Sequence, residues 1–208
     1  MVTIVTHPLI ENALYHLRDT GSDAEVFQRY ARVAAQVLVL DVLRDLPLRE
    51  SPVRTPLEVT TARQLDMDVV FIPVLRSGLA MLDAVHGFFP GAKVGFVGLE
   101  RDERTAIAHQ YYSKLPSQLG ASRLIVLDPM LATGGSVLAT LDLLTAHGAR
   151  DTRVACIVAA PEGVQAVRRH YPQVPIWTCA LDRELDAHKF ILPGLGDFGD
   201  RYYGTANA

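Results

Sequence analysis

An almost unbroken apolar run, Val69 to Leu75, is the feature that most limits what this chain can fold into. A strand without apolar–polar alternation is one buried on both faces, and such strands belong to sheets covered on both sides. Similar runs follow at Lys93 to Leu99, Arg123 to Leu127, Val154 to Ala160 and Pro175 to Leu181. Between them lie stretches of helical character: Ser77 to Phe88, Val137 to His147 with Gly148 as its stop, and Pro161 to His170. Alternating strands and helices predict right-handed crossovers and an α/β fold, a mostly parallel sheet flanked by helices. Ligands of such sheets sit beyond the C-terminal strand ends. The segments to inspect are therefore Leu75 to Gly78, Leu99 to Arg101, Asp128 to Ser136, and the loop after Leu181.

Ahead of the sheet, Pro8 can open a short helix ending near Arg18. Ser22 or Asp23 can cap a longer one from Ala24 to about Arg44, with Val26, Tyr30, Val33, Val37 and Leu40 at helical spacing. Pro47 to Leu57 reads as short edge strands or loop. The polar stretch from Glu100 to Gln118 reads as an excursion, a long hairpin. The Gly-rich tail from Phe190 to Thr205 predicts irregular chain.

The 208 residues suit one domain with a small appendage. A formal net charge of -3 offers no general attraction to nucleic acid or to an anionic membrane, so any bound anion must be held by local groups. No apolar run approaches the roughly 20 residues of a membrane span, and the start of the chain lacks a signal-peptide pattern. Cys156 and Cys179 sit in apolar runs and read as small core residues. These features predict a soluble cytoplasmic protein.

The strongest chemical signal is Asp128-Pro129-Met130-Leu131-Ala132-Thr133-Gly134-Gly135-Ser136. It follows a strand and opens a helix. Gly134 and Gly135 permit close approach and positive φ, and the helix start offers N–H groups and a favourable dipole to an anion. Thr133 and Ser136 add hydroxyls. The stretch has neither the lysine of an ATP-binding loop nor the three-glycine spacing of a dinucleotide fingerprint. On the glycines alone it would also serve as a tight turn, with Ser136 an ordinary N-cap. Asp128 shifts that balance: at the strand end a carboxylate can accept hydrogen bonds from two neighbouring sugar hydroxyls. Phosphate cradle and diol acceptor together suit a ribose 5-phosphate.

These nine residues resemble the loop of type I phosphoribosyltransferases that binds 5-phosphoribosyl-1-pyrophosphate (PRPP), in the form of the family's uracil branch, where one acid rather than two contacts the ribose. Pro73 to Ala80 resembles the family's pyrophosphate loop and places Arg76 on the pyrophosphate, a role a guanidinium can fill bidentately. Val97 to Pro116 resembles the flexible hairpin over the active site, with Arg101 a second pyrophosphate contact. Phe190 to Thr205 is similar to the uracil-binding segment. Ile191, Gly196, Asp197 and Phe198 fall on base-contacting positions there, and Asp197 also faces PRPP. The resemblance runs from His7 to Thr205.

It implies a single domain over residues 1–208. A core at about 66–181 is joined to a hood made by the N-terminal helices and the C-terminal segment, about 1–45 and 182–208. It further implies conversion of uracil and PRPP to UMP and diphosphate in pyrimidine salvage. Pro129, Met130, Leu131 and Ala132 then belong to the PRPP site with the residues around them. No side chain acts as a covalent nucleophile. Mg²⁺ would be carried by PRPP rather than by a protein cage. Relatives are dimers or larger, and GTP activates some of them. Two rivals remain at this stage. One is a regulator of the same fold that senses UMP or PRPP and binds RNA, against which the charge counts. The other is a transferase for a different base.

Overall fold

The computed structural model describes residues 1–89, 91–101 and 108–205, with residues 100, 101, 108 and 109 described by backbone alone. In chain order the elements are β1 (Val2–Ile4), α1 (Pro8–Arg18), α2 (Ala24–Val42), β2 (Leu48–Arg54), β3 (Val59–Leu65), β4 (Asp68–Leu75) and α3 (Gly78–His86). Then come β5 (Lys93–Val94), β6 (Phe96–Arg101), β7 (Ala108–Lys114), β8 (Ser122–Leu127), β9 (Met130–Leu131), α4 (Gly135–Ala146), β10 (Asp151–Ala159) and α5 (Pro161–His170). The chain closes with β11 (Ile176–Leu181), β12 (Glu184–Leu185), β13 (Ile191–Leu192) and α6 (Phe198–Tyr203).

The main sheet has the order β1-β11-β10-β8-β4-β6-β7, with β5 also on β4 and β9 also on β10. Its pairings are parallel except β6 with β7. The apolar runs are explained by their two faces, since strand side chains alternate. Val69, Phe71, Ile125, Leu127, Ala155 and Ile157 pack with α1, α2 and α3. Val70, Ile72, Val74, Leu124, Val126, Val154 and Cys156 pack with α4 and α5.

Local signals place the early helices. His7 caps α1 by accepting from the Leu9 N–H at 3.1 Å, and Pro8 follows in the first turn. Asp23 caps α2 by accepting from the Val26 N–H at 2.9 Å. The buried face of α2 differs from the expected stripe. Phe27, Ala31, Ala34, Ala35, Leu38, Val39 and Val42 enter the core, while Tyr30, Val33 and Val37 lie at its rim and Leu40 is 58% exposed. The helix is apolar around much of its circumference, so its period fits two faces. The face rich in alanine wins because small side chains let the helix approach the sheet closely.

Three other expectations change. The second apolar run breaks at Gly95, whose N–H donates to the Phe71 carbonyl at 2.9 Å between β5 and β6. Val2–Ile4 joins the sheet beside β11, a strand too short to announce itself by pattern. The tail is more regular than its glycines predict: β12 and β13 pair antiparallel, and α6 starts at Asp197, which accepts from the Asp200 N–H at 2.8 Å. Between α2 and β4 the Pro-rich region forms an antiparallel hairpin of β2 and β3, Leu48 opposite Leu65 and Arg54 opposite Val59. The expected hairpin after β6 is present in the β6–β7 pair, and residues 102–107 at its centre lie outside the described residues.

At the N-terminal ends of β8 and β10, Arg123 and Arg153 tie the end of α2 to the sheet. Arg153 donates to the Val42 carbonyl at 2.7 Å and to both Asp45 oxygens at 2.7 Å. Arg123 reaches Asp45 and Asp151 at 2.9 Å each. Hydrogen bonding from Arg153 holds the Asp45 carboxyl down to about 2, with both guanidinium charges adding to the effect. This cluster sits at the end of the sheet away from the strand ends singled out above.

Candidate active site

The chain leaves β8 at Leu127, bulges through Asp128 and Pro129, and resumes pairing with β10 as β9. Three backbone bonds shape the bulge. Asp128 N–H donates to Ala155 O at 3.2 Å, and the Pro129 carbonyl accepts from Ile157 and Val158 N–H at 3.0 Å each. Asp128 is thus fixed at the strand end, largely buried, its Oδ1 3.4 Å from the Met130 N–H. Leu131 is fully buried, and its carbonyl accepts from Ala160 N–H at 2.9 Å. Pro129 and Leu131 therefore anchor the loop, while Met130, Ala132 and Ser136 face the opening beyond it.

Gly134 is the N-cap of α4 with φ 85° and has no side chain to cap it, while Thr133 Oγ1 accepts from the Gly135 N–H at 3.5 Å. Ser136 is therefore inside the first turn rather than its cap. Of the two glycines only Gly134 needs the left-handed region, since Gly135 is already helical. A methyl on Gly135 would meet only Thr133 Oγ1, at 3.7 Å, so its absence leaves open space at the helix start. A small recess of about 30 Å³ lies here, lined by Asp128, Thr133, Gly134, Gly135 and Ser136 among others. The N–H groups of the helix start, the hydroxyls and the dipole suit an anion in this recess. The recess is backed by a glycine the sequence did not flag. A Cβ on Gly163, in the first turn of α5, would sit 2.4 Å from the Ala132 carbonyl oxygen.

Beside the recess opens a larger cleft of about 350 Å³. Arg76, Ser77, Asp128, Ile191, Gly196, Asp197 and Phe198 line it. Arg76 follows β4 directly across a cis Leu75–Arg76 peptide. Its guanidinium is well exposed and lies 3.9 Å from Asp200 Oδ1, while its carbonyl accepts from the Tyr203 hydroxyl at 3.3 Å. Asp200 and Tyr203 were not singled out in the sequence. They link the loop after β4 to α6, and nothing local to either segment signals it. Arg101 ends β6, and its side chain lies outside the described residues.

Gly78, the first residue of α3, packs against the end of β8. A Cβ there would stand 2.3 Å from the Leu127 carbonyl oxygen, so the glycine admits neighbouring backbone rather than a ligand. Gly78→Ala should destabilise the fold by about 1–3 kcal/mol through overpacking, a fall of roughly 2–12 °C in Tm. Gly87→Ala is the control, since nothing lies within 4 Å of its added methyl. Thermal unfolding of both variants would show the contrast, and an unchanged Tm for Gly78→Ala would show that the loop relaxes freely.

Across the cleft the tail turns back. Ile191 is buried, and the Phe198 ring packs edge-on against Phe27 at 5.2 Å and stacks on Tyr202 at 5.7 Å. The side chain of Phe198 is thus committed to the core. Arg201 holds the tail from behind, donating to the carbonyls of Leu195 at 2.8 Å, Asp19 at 2.6 Å and Leu17. His188, Lys189 and Phe190 also line the cleft. Of these, Phe190 opens the tail segment singled out by resemblance, and His188 and Lys189 stand just before it. Asp186 shapes their turn by accepting from the His188 and Phe190 N–H groups at 2.8 and 2.9 Å. An aspartate two residues before a histidine is the only local hint of that turn. The cysteines are core residues as expected, and burial pushes the Cys156 thiol up to about 12 and raises that of Cys179. Neither offers a thiolate nucleophile.

Comparison with known proteins bears on this geometry. The family model described as uracil phosphoribosyltransferase matches residues 4–205. The uracil phosphoribosyltransferase of Salinibacter ruber is 45% identical over 204 residues, 98% of this chain and 97% of that one. Its counterpart in Symbiobacterium thermophilum is 45% identical over 205 residues, 98% of each chain. The structure of the AQ2163 protein from Aquifex aeolicus superposes with a TM-score of 0.94 at 35% identity, over 100% of both chains. A phosphoribosyltransferase from Corynebacterium diphtheriae shares the fold with a TM-score of 0.54 at 15% identity, over 83% of this chain and 94% of that one. A site built at the expected strand ends and a match along nearly the whole sequence lead to one conclusion: the chain belongs to the uracil phosphoribosyltransferase family.

Proposed function

We propose that the cleft binds PRPP and uracil together and joins them, giving UMP and diphosphate. One observation carries the reading. A small recess at a helix start, a buried-strand carboxylate and a turn rich in backbone groups all border one opening. The 5-phosphate sits on Thr133, Gly134, Gly135 and Ser136. Asp128 accepts from the ribose hydroxyls, with Met130 and Ala132 beside it and Pro129 and Leu131 anchoring the loop. The diphosphate lies toward Arg76 and Arg101. Uracil meets the turn at Ile191, Gly196, Asp197 and Phe198, with Asp197 also toward PRPP.

In the reaction N1 of uracil bonds to C1′ of the ribose while the bond from C1′ to the diphosphate oxygen breaks. The bonding pair leaves with the diphosphate, the N1 proton passes to solvent water, and C1′ inverts. The residues act by orienting both partners and stabilising the departing diphosphate. Among the described residues no three His, Cys, Asp or Glu side chains are grouped to hold a metal ion. Asp128 and Asp197 border the opening and suit an ion arriving on the substrate. Mg²⁺ bound to PRPP would neutralise diphosphate charge. Incubating the protein with PRPP, Mg²⁺ and single bases tests the whole reading. UMP should form with uracil, and a nucleotide product from another base instead would overturn it. GTP enters as a candidate effector, read by its addition to the same assay.

Arg76→Ala should cost more kcat/KM for PRPP than Arg101→Ala, because Arg76 leaves a rigid strand and preorganised contacts lose most when removed. A larger loss at Arg101 would reverse the two assignments. We also read the enzyme as a homodimer or larger. The β2–β3 hairpin carries Leu48, Val59 and Leu65 at 52%, 64% and 47% exposure, apolar surface that a partner would cover. Sedimentation at micromolar concentration should show an oligomer, and monomer alone would count against it. No helix among the described residues is long and apolar enough to cross a membrane. We read the enzyme as cytoplasmic, and its net charge of -3 argues against a general attraction to nucleic acid or an anionic membrane; cell fractionation would check the compartment.

A further inference from the structure

The turn that borders the cleft on the tail side is held by an ion pair that does not line the cleft. Asp182 follows β11, with its side chain 5% exposed. Its own N–H donates to the Ala159 carbonyl at 2.8 Å, tying it to the end of β10. Its Oδ2 accepts from the Gly194 N–H at 2.8 Å, a buried bond. Arg18, the last residue of α1, grips the same carboxylate with both terminal nitrogens, Nη1 to Oδ2 at 2.9 Å and Nη2 to Oδ1 at 2.7 Å. The Arg18 Nη1 also donates to the Gly194 carbonyl at 2.8 Å. Both backbone groups of Gly194 are thus secured by one ion pair. Gly194 itself has φ 62°, and a Cβ there would stand 2.1 Å from the Ile191 carbonyl oxygen. The peptide planes flanking Gly194 therefore have a single orientation, set from outside the turn.

We infer that Asp182, backed by Arg18, is a positioning residue for base recognition. The inference rests on the reading of this cleft as a uracil site. A pocket that reads a base through backbone N–H and C=O groups is only as selective as those groups are fixed. Gly194 lies between Ile191 and Gly196, both of which line the cleft. Asp182 and Arg18 instead line a separate recess with Glu11, Tyr15 and Cys179. They cannot touch the base, and they act through the direction they impose on the turn. A carboxylate serves better than a neutral acceptor because the same group must satisfy a backbone N–H and a bidentate guanidinium.

The test is steady-state kinetics of the wild type, Asp182→Asn, Asp182→Ala and Arg18→Lys, with melting temperatures measured alongside. Asparagine keeps one acceptor for Gly194 and loses the charge, and lysine keeps the charge and loses the fork. For Asp182→Ala, kcat/KM for uracil should fall about 10- to 100-fold, the loss expected for a buried charge-assisted bond. KM for PRPP should stay within about threefold, and the uracil-to-cytosine ratio should narrow by a similar factor to the uracil loss. Asp182→Asn and Arg18→Lys should fall between this variant and the wild type. If Asp182→Ala does not fold, these two milder variants carry the same comparison. A lower melting temperature with unchanged base ratio, or equal weakening toward PRPP and uracil, would make the pair merely structural and overturn the inference. A wild type that forms no UMP would instead sink the reading of the cleft itself, so the two failures are told apart.

Discussion

At saturating PRPP, cytosine should react with a kcat/KM on the order of 10²–10⁴ below that of uracil. Uracil presents two carbonyl acceptors flanking an N3–H donor. Cytosine replaces O4 by an amino donor and N3–H by an acceptor. A turn that answers uracil with backbone N–H groups and a carbonyl then faces cytosine with two mismatched contacts, each about 1–3 kcal/mol for a buried group left without its partner. The structure strengthens the backbone part of this argument. The ring of Phe198 packs into the core against Phe27 and Tyr202 and is not available to sort bases by its edge. The turn from Ile191 to Gly196 is braced on several sides, by Asp182 and Arg18 at Gly194 and by Arg201 at Leu195. Thymine keeps the hydrogen-bonding edge of uracil, so its discrimination depends on the room around C5 alone. Rates with uracil and cytosine side by side decide the matter. Cytosine within tenfold of uracil would mean that the bases are not read through this turn.

The second large effect is at the ribose. Asp128→Asn should lower kcat/KM for PRPP by about 10- to 150-fold, corresponding to the roughly 1.5–3 kcal/mol of a charge-assisted hydrogen bond. The substitution preserves shape, and the bulge around it is built from backbone bonds of residues 128 and 129 that asparagine does not alter. Folding and the melting temperature should therefore change little. The loss arises because a carboxylate accepts from both hydroxyls of a ribose diol, whereas an amide accepts at one end and donates at the other. Kinetics with PRPP varied at saturating uracil should place the effect on PRPP, and an unchanged value would remove Asp128 from the sugar site.

Much of this architecture was written locally in the chain. Helix α5 runs from Pro161 to His170 as its own residues indicate, with proline at its start and basic residues in its last turn. Helices α1 and α2 begin where Pro8 and Asp23 place them. Four of the five apolar runs became single parallel strands, and the other split at Gly95 into β5 and β6, because neither face of such a run can meet water. The loop from Asp128 to Ser136 stood out for the same reason: its glycines and hydroxyls sit where a strand hands over to a helix, and that junction is set by neighbours in sequence.

Other features depend on contacts between distant segments, and no pattern within a segment encodes them. Glycine in a sequence reports freedom of the backbone but not which atoms come close. Gly78 approaches Leu127 and Gly163 approaches Ala132, and only the packed strands and helices select those neighbours. The face α2 buries was decided by which side allows closest approach to the sheet, a comparison that the helix alone cannot make. Arg18 and Asp182 are 164 residues apart, yet their charges meet because α1 ends where β11 ends. The sequence by itself determined the central strands, the starts of α1, α2 and α5 and the chemistry of the phosphate loop, since hydrophobic periodicity and capping act over a few residues. Tertiary structure alone decided how the tail is held against that loop, because the energy of a buried ion pair or a backbone approach exists only once both partners are brought together.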